Sequence, residues 1–126
     1  MKSLLSDDFF TIDLITFDED NPEKGMARLT LNPAHDIFKG HFPGNPVVPG
    51  VCIVQMIKET LSLHFKKELI LIKADDIKFL NIINPEVDPK IEMEIKIKHT
   101  GDDLVHCTVL ITSEEKTFMK FRGSFQ

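Results

Sequence analysis

The sequence predicts an α+β fold in which an antiparallel sheet is wrapped around one central helix. The stretch from 51 to about 65 is the one convincing long helix, because its apolar residues recur at helical spacing. Stretches before and after it alternate apolar and polar residues, as half-buried strands do. The order of two strands, one helix and then a meander of strands is typical of an α+β domain.

The first two strands are predicted at 9–17 and 26–31, joined by the turn cluster DEDNPEKG. The letters FFTIDLITF are rich in aromatic and β-branched residues, which favour strands. In the helix, a buried stripe is predicted from its spacing: Ile53, Met56, Ile57, Thr60, Leu61 and His64. A second, polar face holds the remaining polar residues: Gln55, Lys58, Glu59, Ser62 and Lys66.

After the helix the pattern changes to period two. Short strands are predicted at 69–73 and 77–83, and the clearest alternation of the chain follows at 91–99. The letters TGDD at 100–103 predict a hairpin turn. The last two strands are then expected at 104–112 and 117–125.

The composition indicates a single domain spanning 1–126. A net charge of −5 argues against general binding to nucleic acid or to anionic membranes. No stretch approaches the roughly 20 apolar residues of a membrane span, and the acidic start argues against a signal peptide, so we expect a cytoplasmic protein. Cys52 and Cys107 are expected to be buried thiols. With no metal-ligand cluster, phosphate loop or nucleotide fingerprint in the sequence, no metal and no cofactor is predicted.

A loop with three prolines and three glycines precedes the helix and carries the most specific motif. The run GHFPGNPVVPGV at 40–51 is similar to the signature of the hotdog-fold 3-hydroxyacyl-acyl-carrier-protein dehydratases of type II fatty-acid synthesis. The resemblance implies a hotdog fold. It also implies dehydration of (3R)-hydroxyacyl thioesters to trans-2-enoyl thioesters, in fatty-acid or related lipid or polyene biosynthesis.

That reaction needs a base at the carbon beside the thioester, a donor to the carbonyl oxygen and an acid for the departing hydroxyl. His41 suits the base because an imidazole titrates near neutral pH, and the resemblance implies that the Val47 carbonyl orients its ring. The Gly50 amide suits the donor because it opens the helix, where N–H groups are unpaired. The residues predicted to bind the substrate lie around them: Phe42, Val47, Pro49 and Val51.

The acid is where this chain departs from the family. The family places Glu or Asp fourteen residues after the histidine, and this chain has Gln55, whose amide cannot donate a proton to a hydroxyl. Many members carry Gln four residues later, where this chain has Glu59 on the same helix face. Two alternatives stay open: Glu59 has taken over the acid's role, or Glu59 is a surface carboxylate paired with a lysine and the acid is lost.

Three functions follow from the resemblance. The first is the dehydratase, acting on acyl chains held by acyl carrier protein. The histidine of one subunit and the helix carboxylate of another would form its site in a homodimer or a higher homo-oligomer. The alternatives are a non-catalytic acyl-thioester-binding or heterodimer-partner member, and a hotdog thioesterase. Because acyl carrier proteins are acidic, docking is predicted at basic residues, with these candidates: Lys66, Lys67, Lys120 and Arg122.

Overall fold

Six strands form one antiparallel sheet that packs against a long helix in a computed structural model, which describes residues 9–40 and 46–126. The elements in chain order are β1 (Phe10–Phe17), β2 (Lys24–Leu31), α1 (Ile37–Gly40), α2 (Gly50–Phe65), β3 (Leu71–Phe79), β4 (Lys90–Lys98), β5 (Val105–Ser113) and β6 (Lys116–Phe125). The predicted α+β arrangement is confirmed.

The sheet has the strand order β1-β2-β4-β5-β6-β3, and every neighbouring pair is antiparallel. Strand β4 shows the alternation most clearly: its apolar residues are buried, and its charged residues are on the other face. After α2 the chain crosses to the far edge of the sheet, where β3 pairs with β6. The sheet therefore has two edges, β1 and β3.

Helix α2 lies against the inner face of the sheet, as predicted. Ile53 is 3% exposed and Ile57 is fully buried. The helix begins after Pro49 and ends at Lys66, whose positive φ of 56° lets its N–H and that of the next residue bond back to the last turn.

The predicted polar face of α2 is partly wrong. Glu59 and Ser62 are buried rather than exposed. The Leu69 N–H donates to Ser62 Oγ at 3.0 Å, because the segment after the helix folds back over it. Helical spacing alone does not predict that the segment after α2 covers part of its polar face.

Strand β3 differs from the prediction of two short strands at 69–73 and 77–83. It is one strand whose pairing with β6 shifts register twice, between Leu71 and Lys73 and between Ala74 and Asp76. Such bulges bend a strand without ending it, so the acidic interruption of the apolar pattern did not break the strand. Gly123 on β6 permits the close approach, because a Cβ there would collide with the Lys73 carbonyl oxygen.

The packing of α2 predicts how two leucines differ in their contribution to stability. Leu61 is fully buried, whereas Leu63 is 56% exposed on the same helix. Leu61→Ala should lower the free energy of unfolding by about 2–5 kcal/mol, since it removes buried methyl groups and leaves a cavity. Leu63→Ala should change it by about 0.5 kcal/mol or less. Urea denaturation of both variants measures the difference, and equal losses would contradict the placement of α2.

Candidate active site

The first turn of α2 presents backbone donors at the end of a tightly held loop. The Val48 N–H donates to the Ile83 carbonyl at 2.9 Å, which ties the loop to the segment after β3. The Pro49 carbonyl accepts from the amides of Cys52 and Ile53 at 3.0 and 3.2 Å. Gly50 begins the helix, so its own N–H is among the amides that have no intrahelical acceptor and lie at the positive end of the helix dipole.

A mainly apolar pocket of about 530 Å³ lies beside this helix start. One wall is formed by the loop and the first turn of α2, and the other by the segment that follows β3. The lining residues are Val47, Val48, Pro49, Gly50, Ile53, Phe79, Leu80, Asn81, Ile82 and Ile83. An apolar pocket next to backbone N–H groups that have no intrahelical acceptor suits a ligand with a hydrocarbon chain and a carbonyl group.

Phe79 covers the helix start. A Cβ at Gly50 would lie 2.7 Å from Phe79 Cζ, so the absence of a side chain at Gly50 lets the ring sit directly over this turn. The ring itself is 57% exposed. The two residues after Phe79 fix its position, because the amides of Leu80 and Asn81 both donate to the Phe118 carbonyl.

Three of the residues predicted to form the site line this pocket, namely Gly50, Val47 and Pro49. Val51 lies next to them, and its side chain is 77% exposed. His41 and Phe42 lie outside the described residues, as does the expected contact between the His41 ring and the Val47 carbonyl. Their roles therefore stay predictions.

Gln55 and Glu59 form a pair on α2. The Gln55 amide Nε2 donates to Glu59 Oε2 at 3.0 Å, across one helical turn. Glu59 is only 6% exposed, so it is not the surface carboxylate that one of the two alternatives describes. The pair holds a carboxylate in the protein interior with one oxygen oriented by an amide.

The pocket and the carboxylate pair are separate within one chain. Among the described residues, the lining follows α2 as far as Ile53, and Glu59 lies about 9 Å further along the helix axis. The structure thus brings Gly50, Val47 and Pro49 together, and brings Gln55 and Glu59 together. The resemblance implies a site formed by two subunits. In such a site, the pocket of one chain would meet the carboxylate pair of the other, so the two need not be close within one chain.

Sequence reasoning missed part of the pocket and one hydrogen bond between side chains. The wall formed by residues 80–83 has a signal in the apolar letters FLNII before Asn84-Pro85, which the pattern predicts as part of a strand. The other omission is Asp102, whose carboxylate lies 3.0 Å from His106 Nε2. This hydrogen bond holds the pKa of Asp102 down at about 2. The two residues are four apart across a hairpin, a spacing that reveals contact only once the hairpin is known.

Three further titratable groups lie in apolar surroundings, namely His64, Cys52 and Cys107. The ring of His64 stacks on Phe17 with centroids 3.9 Å apart, and burial lowers the pKa of His64. Cys52 and Cys107 are buried free thiols, as predicted, and burial raises the pKa of Cys107 to about 12. Within residues 9–40 and 46–126, no group of three potential metal ligands lies together. None of the helices in the same ranges is long and apolar enough to cross a membrane.

Comparison with solved structures identifies the fold. A chain of the dehydratase heterocomplex ApeI:P from Xenorhabdus doucetiae superposes with a TM-score of 0.64 at 18% identity, covering 91% of this chain and 96% of that one. A mutant thioesterase from Pseudomonas aeruginosa superposes with a TM-score of 0.62 at 11% identity, covering 92% and 78%. At these identities the likeness shows the fold alone, which is the hotdog fold that the loop motif implied.

Sequence comparison identifies the family. The 3-hydroxyacyl-acyl-carrier-protein dehydratase FabZ of Lactiplantibacillus plantarum is 31% identical over 104 residues, covering 75% of this chain and 69% of that protein. Two further FabZ relatives are matched over 55% and 66% of their length. The sequence model of the ApeI-like family, described as ApeI dehydratase, matches residues 18–121. Because this match spans most of the sequence, the chain belongs to the ApeI-like dehydratase family.

Proposed function

We propose that the protein dehydrates (3R)-hydroxyacyl thioesters carried by acyl carrier protein, with Glu59 as the acid. The observation that carries the proposal is the buried pair on α2, in which the Gln55 amide orients the Glu59 carboxyl group at 3.0 Å. The order of Glu and Gln is reversed along the helix relative to many dehydratases, but both groups are kept on one face. A buried and oriented carboxyl group is what protonation of a leaving hydroxyl requires.

The reaction would use three groups. His41 takes a proton from the carbon next to the thioester carbonyl, and negative charge builds on the carbonyl oxygen. The Gly50 N–H at the start of α2 stabilises that charge. The bond between carbon 3 and its hydroxyl then breaks, the double bond forms between carbons 2 and 3, and the hydroxyl leaves as water with a proton from Glu59. The apolar pocket beside Gly50 receives the acyl chain.

We further propose that the site is completed in a dimer formed through β3. This strand lies at the edge of the sheet, so one side of its backbone is unpaired within the chain. Apolar side chains along β3 and beside it are exposed: Ile70, Leu71, Ile72, Phe79 and Leu80. An apolar edge strand of this kind is suited to pairing with a second copy, which would bring α2 of one subunit towards the pocket of the other.

A charge on β3 should therefore separate the subunits. Ile72 is 49% exposed on β3, and Leu14 is 40% exposed on β1 at the opposite edge of the sheet. Ile72→Asp should convert a dimer into a monomer in sedimentation velocity, because the interface would bury an unpaired carboxylate. Leu14→Asp is the matched control and should remain dimeric. A monomeric wild type would contradict the dimer directly, as would an Ile72→Asp variant that remains dimeric.

The activity itself is tested with the wild-type protein and a 3-hydroxyacyl chain on acyl carrier protein. We expect formation of the trans-2-enoyl thioester, detected by mass spectrometry as loss of one water, with the thioester intact. Release of the free acid and a free carrier thiol would instead indicate a thioesterase. If the protein alone forms neither product, the proposal is contradicted and the alternative of a heterodimer partner is favoured.

The heterodimer-partner alternative has its own support. Gln55 occupies the family's acid position, and the structural neighbour from Xenorhabdus doucetiae is a chain of a dehydratase heterocomplex. In that case the chain would supply the Gly50 and His41 half of a site, and a related subunit would supply the carboxylate. The alternative predicts that activity requires the second subunit.

A further inference from the structure

A groove of about 530 Å³ crosses the outer face of the sheet. On β4 the buried Ile95 and Ile97 point into the core, so the intervening Lys96 and the following Lys98 point outward. Side chains from the neighbouring strands β5 and β6 reach the same groove. We define the basic groove by its four nitrogen-bearing side chains: Lys96, Lys98, His106 and Arg122.

The three permanently charged basic side chains of the groove form no ion pairs with described residues. They are Lys96, Lys98 and Arg122, and all three are exposed. The groove also contains one carboxylate, Asp75, which is engaged by Lys73 Nζ at 3.4 Å. His106 Nε2 lies 3.0 Å from the carboxylate of Asp102, which does not line the groove.

The surroundings of the basic groove carry charges of both signs, including Glu94, which is exposed two residues before Lys96 on β4. Lys24 lies opposite Lys96 in the register of β2 and β4, and Asp76 lies opposite Arg122 in that of β3 and β6. The groove thus keeps an excess of positive charge on a chain whose net charge is −5. A local cationic surface of this kind attracts a partner with an acidic face, and the negative net charge disfavours a long polyanion such as nucleic acid.

We infer that the basic groove is the docking surface for the acidic face of the acyl carrier protein, an inference that rests on the proposed function. It revises the docking residues expected from the sequence. Arg122 is shared, and Lys120 lies two residues before it on β6, whereas Lys66 and Lys67 lie at the other side of the core, after the end of α2. Lys96 and Lys98 are the additional docking residues. The sequence did not single them out, because they belong to the alternating charged positions of β4.

The test is direct binding of an acyl carrier protein, measured by fluorescence anisotropy at several salt concentrations. The double variant Lys96→Glu with Arg122→Glu should weaken binding about tenfold or more and flatten its salt dependence, since steering by surface charge is screened by ions. Lys90→Glu is the control for a charge reversal outside the basic groove, and Lys96→Glu alone is the single variant with the same change in net charge. Lys90 is exposed on the same strand at its other end, and Lys90→Glu should bind as the wild type does.

The outcomes separate docking from catalysis. Unchanged binding by the double variant, with an unchanged melting temperature, would overturn the docking surface whatever the enzyme's activity. An equal loss of binding in Lys90→Glu and in Lys96→Glu would also overturn it, because the effect would then reflect net charge alone. Turnover of an untethered 3-hydroxyacyl N-acetylcysteamine thioester by the wild type reports the proposed function separately, because that substrate has no carrier protein to dock.

Discussion

Replacing Glu59 with Gln should lower the turnover of a 3-hydroxyacyl thioester by about 100-fold or more. A positioned acid contributes about 10²–10⁴ to the rate, and an amide cannot supply its proton. The change conserves the size of the buried side chain, so the fold should persist and the effect should fall on kcat. The measurement is steady-state kinetics with the carrier-bound substrate, supported by circular dichroism of the variant.

Two further variants make the result specific. Glu68→Gln, at an exposed carboxylate after the end of α2, should have the kinetics of the wild type. Gln55→Glu should have a modest effect or impair the enzyme, because two carboxyl groups one turn apart repel each other when both are ionised. A sharp increase in activity in Gln55→Glu would mean that the wild type has lost its acid. That result, or unchanged turnover in Glu59→Gln, would refute the assignment of Glu59.

Replacing His41 with Ala should abolish turnover, with a loss of about 10²–10⁴ in rate. The reason is that no proton can leave carbon 2 without a base, and the imidazole is the group of the loop motif that accepts a proton near neutral pH. Because the resemblance places His41 in a loop at the start of α2, the helix and sheet should fold without its ring. Kinetics and thermal denaturation of the same preparation test both statements.

The control for His41 is another histidine. His99 is exposed after the end of β4, where its ring makes an edge contact with Phe65. His99→Ala should leave turnover near the wild-type value. If His41→Ala remained active, the loop motif would have a structural role in this chain, and the base would have to be sought elsewhere.

The sequence by itself determined the fold class, the long helix and five of the six strands, all except β3. These features depend on local periodicity: α2 repeats its apolar residues every three or four positions, and β4 every two, because each element buries one face. The motif at 40–51 also determined the family. A pattern within one element, or within one short stretch of sequence, was sufficient in each case.

Only the tertiary structure decided which polar residues are buried and which distant segments meet. Glu59 follows the spacing of a polar face, yet the chain around α2 covers it, and only this burial distinguishes an internal carboxylate from a surface one. The pocket joins Gly50 to Phe79, which are far apart in the chain. Lys96 and Arg122 line one groove because they lie on either side of Thr108, which pairs with both of them across the sheet. Contacts between distant segments depend on strand order and register, which local periodicity does not encode.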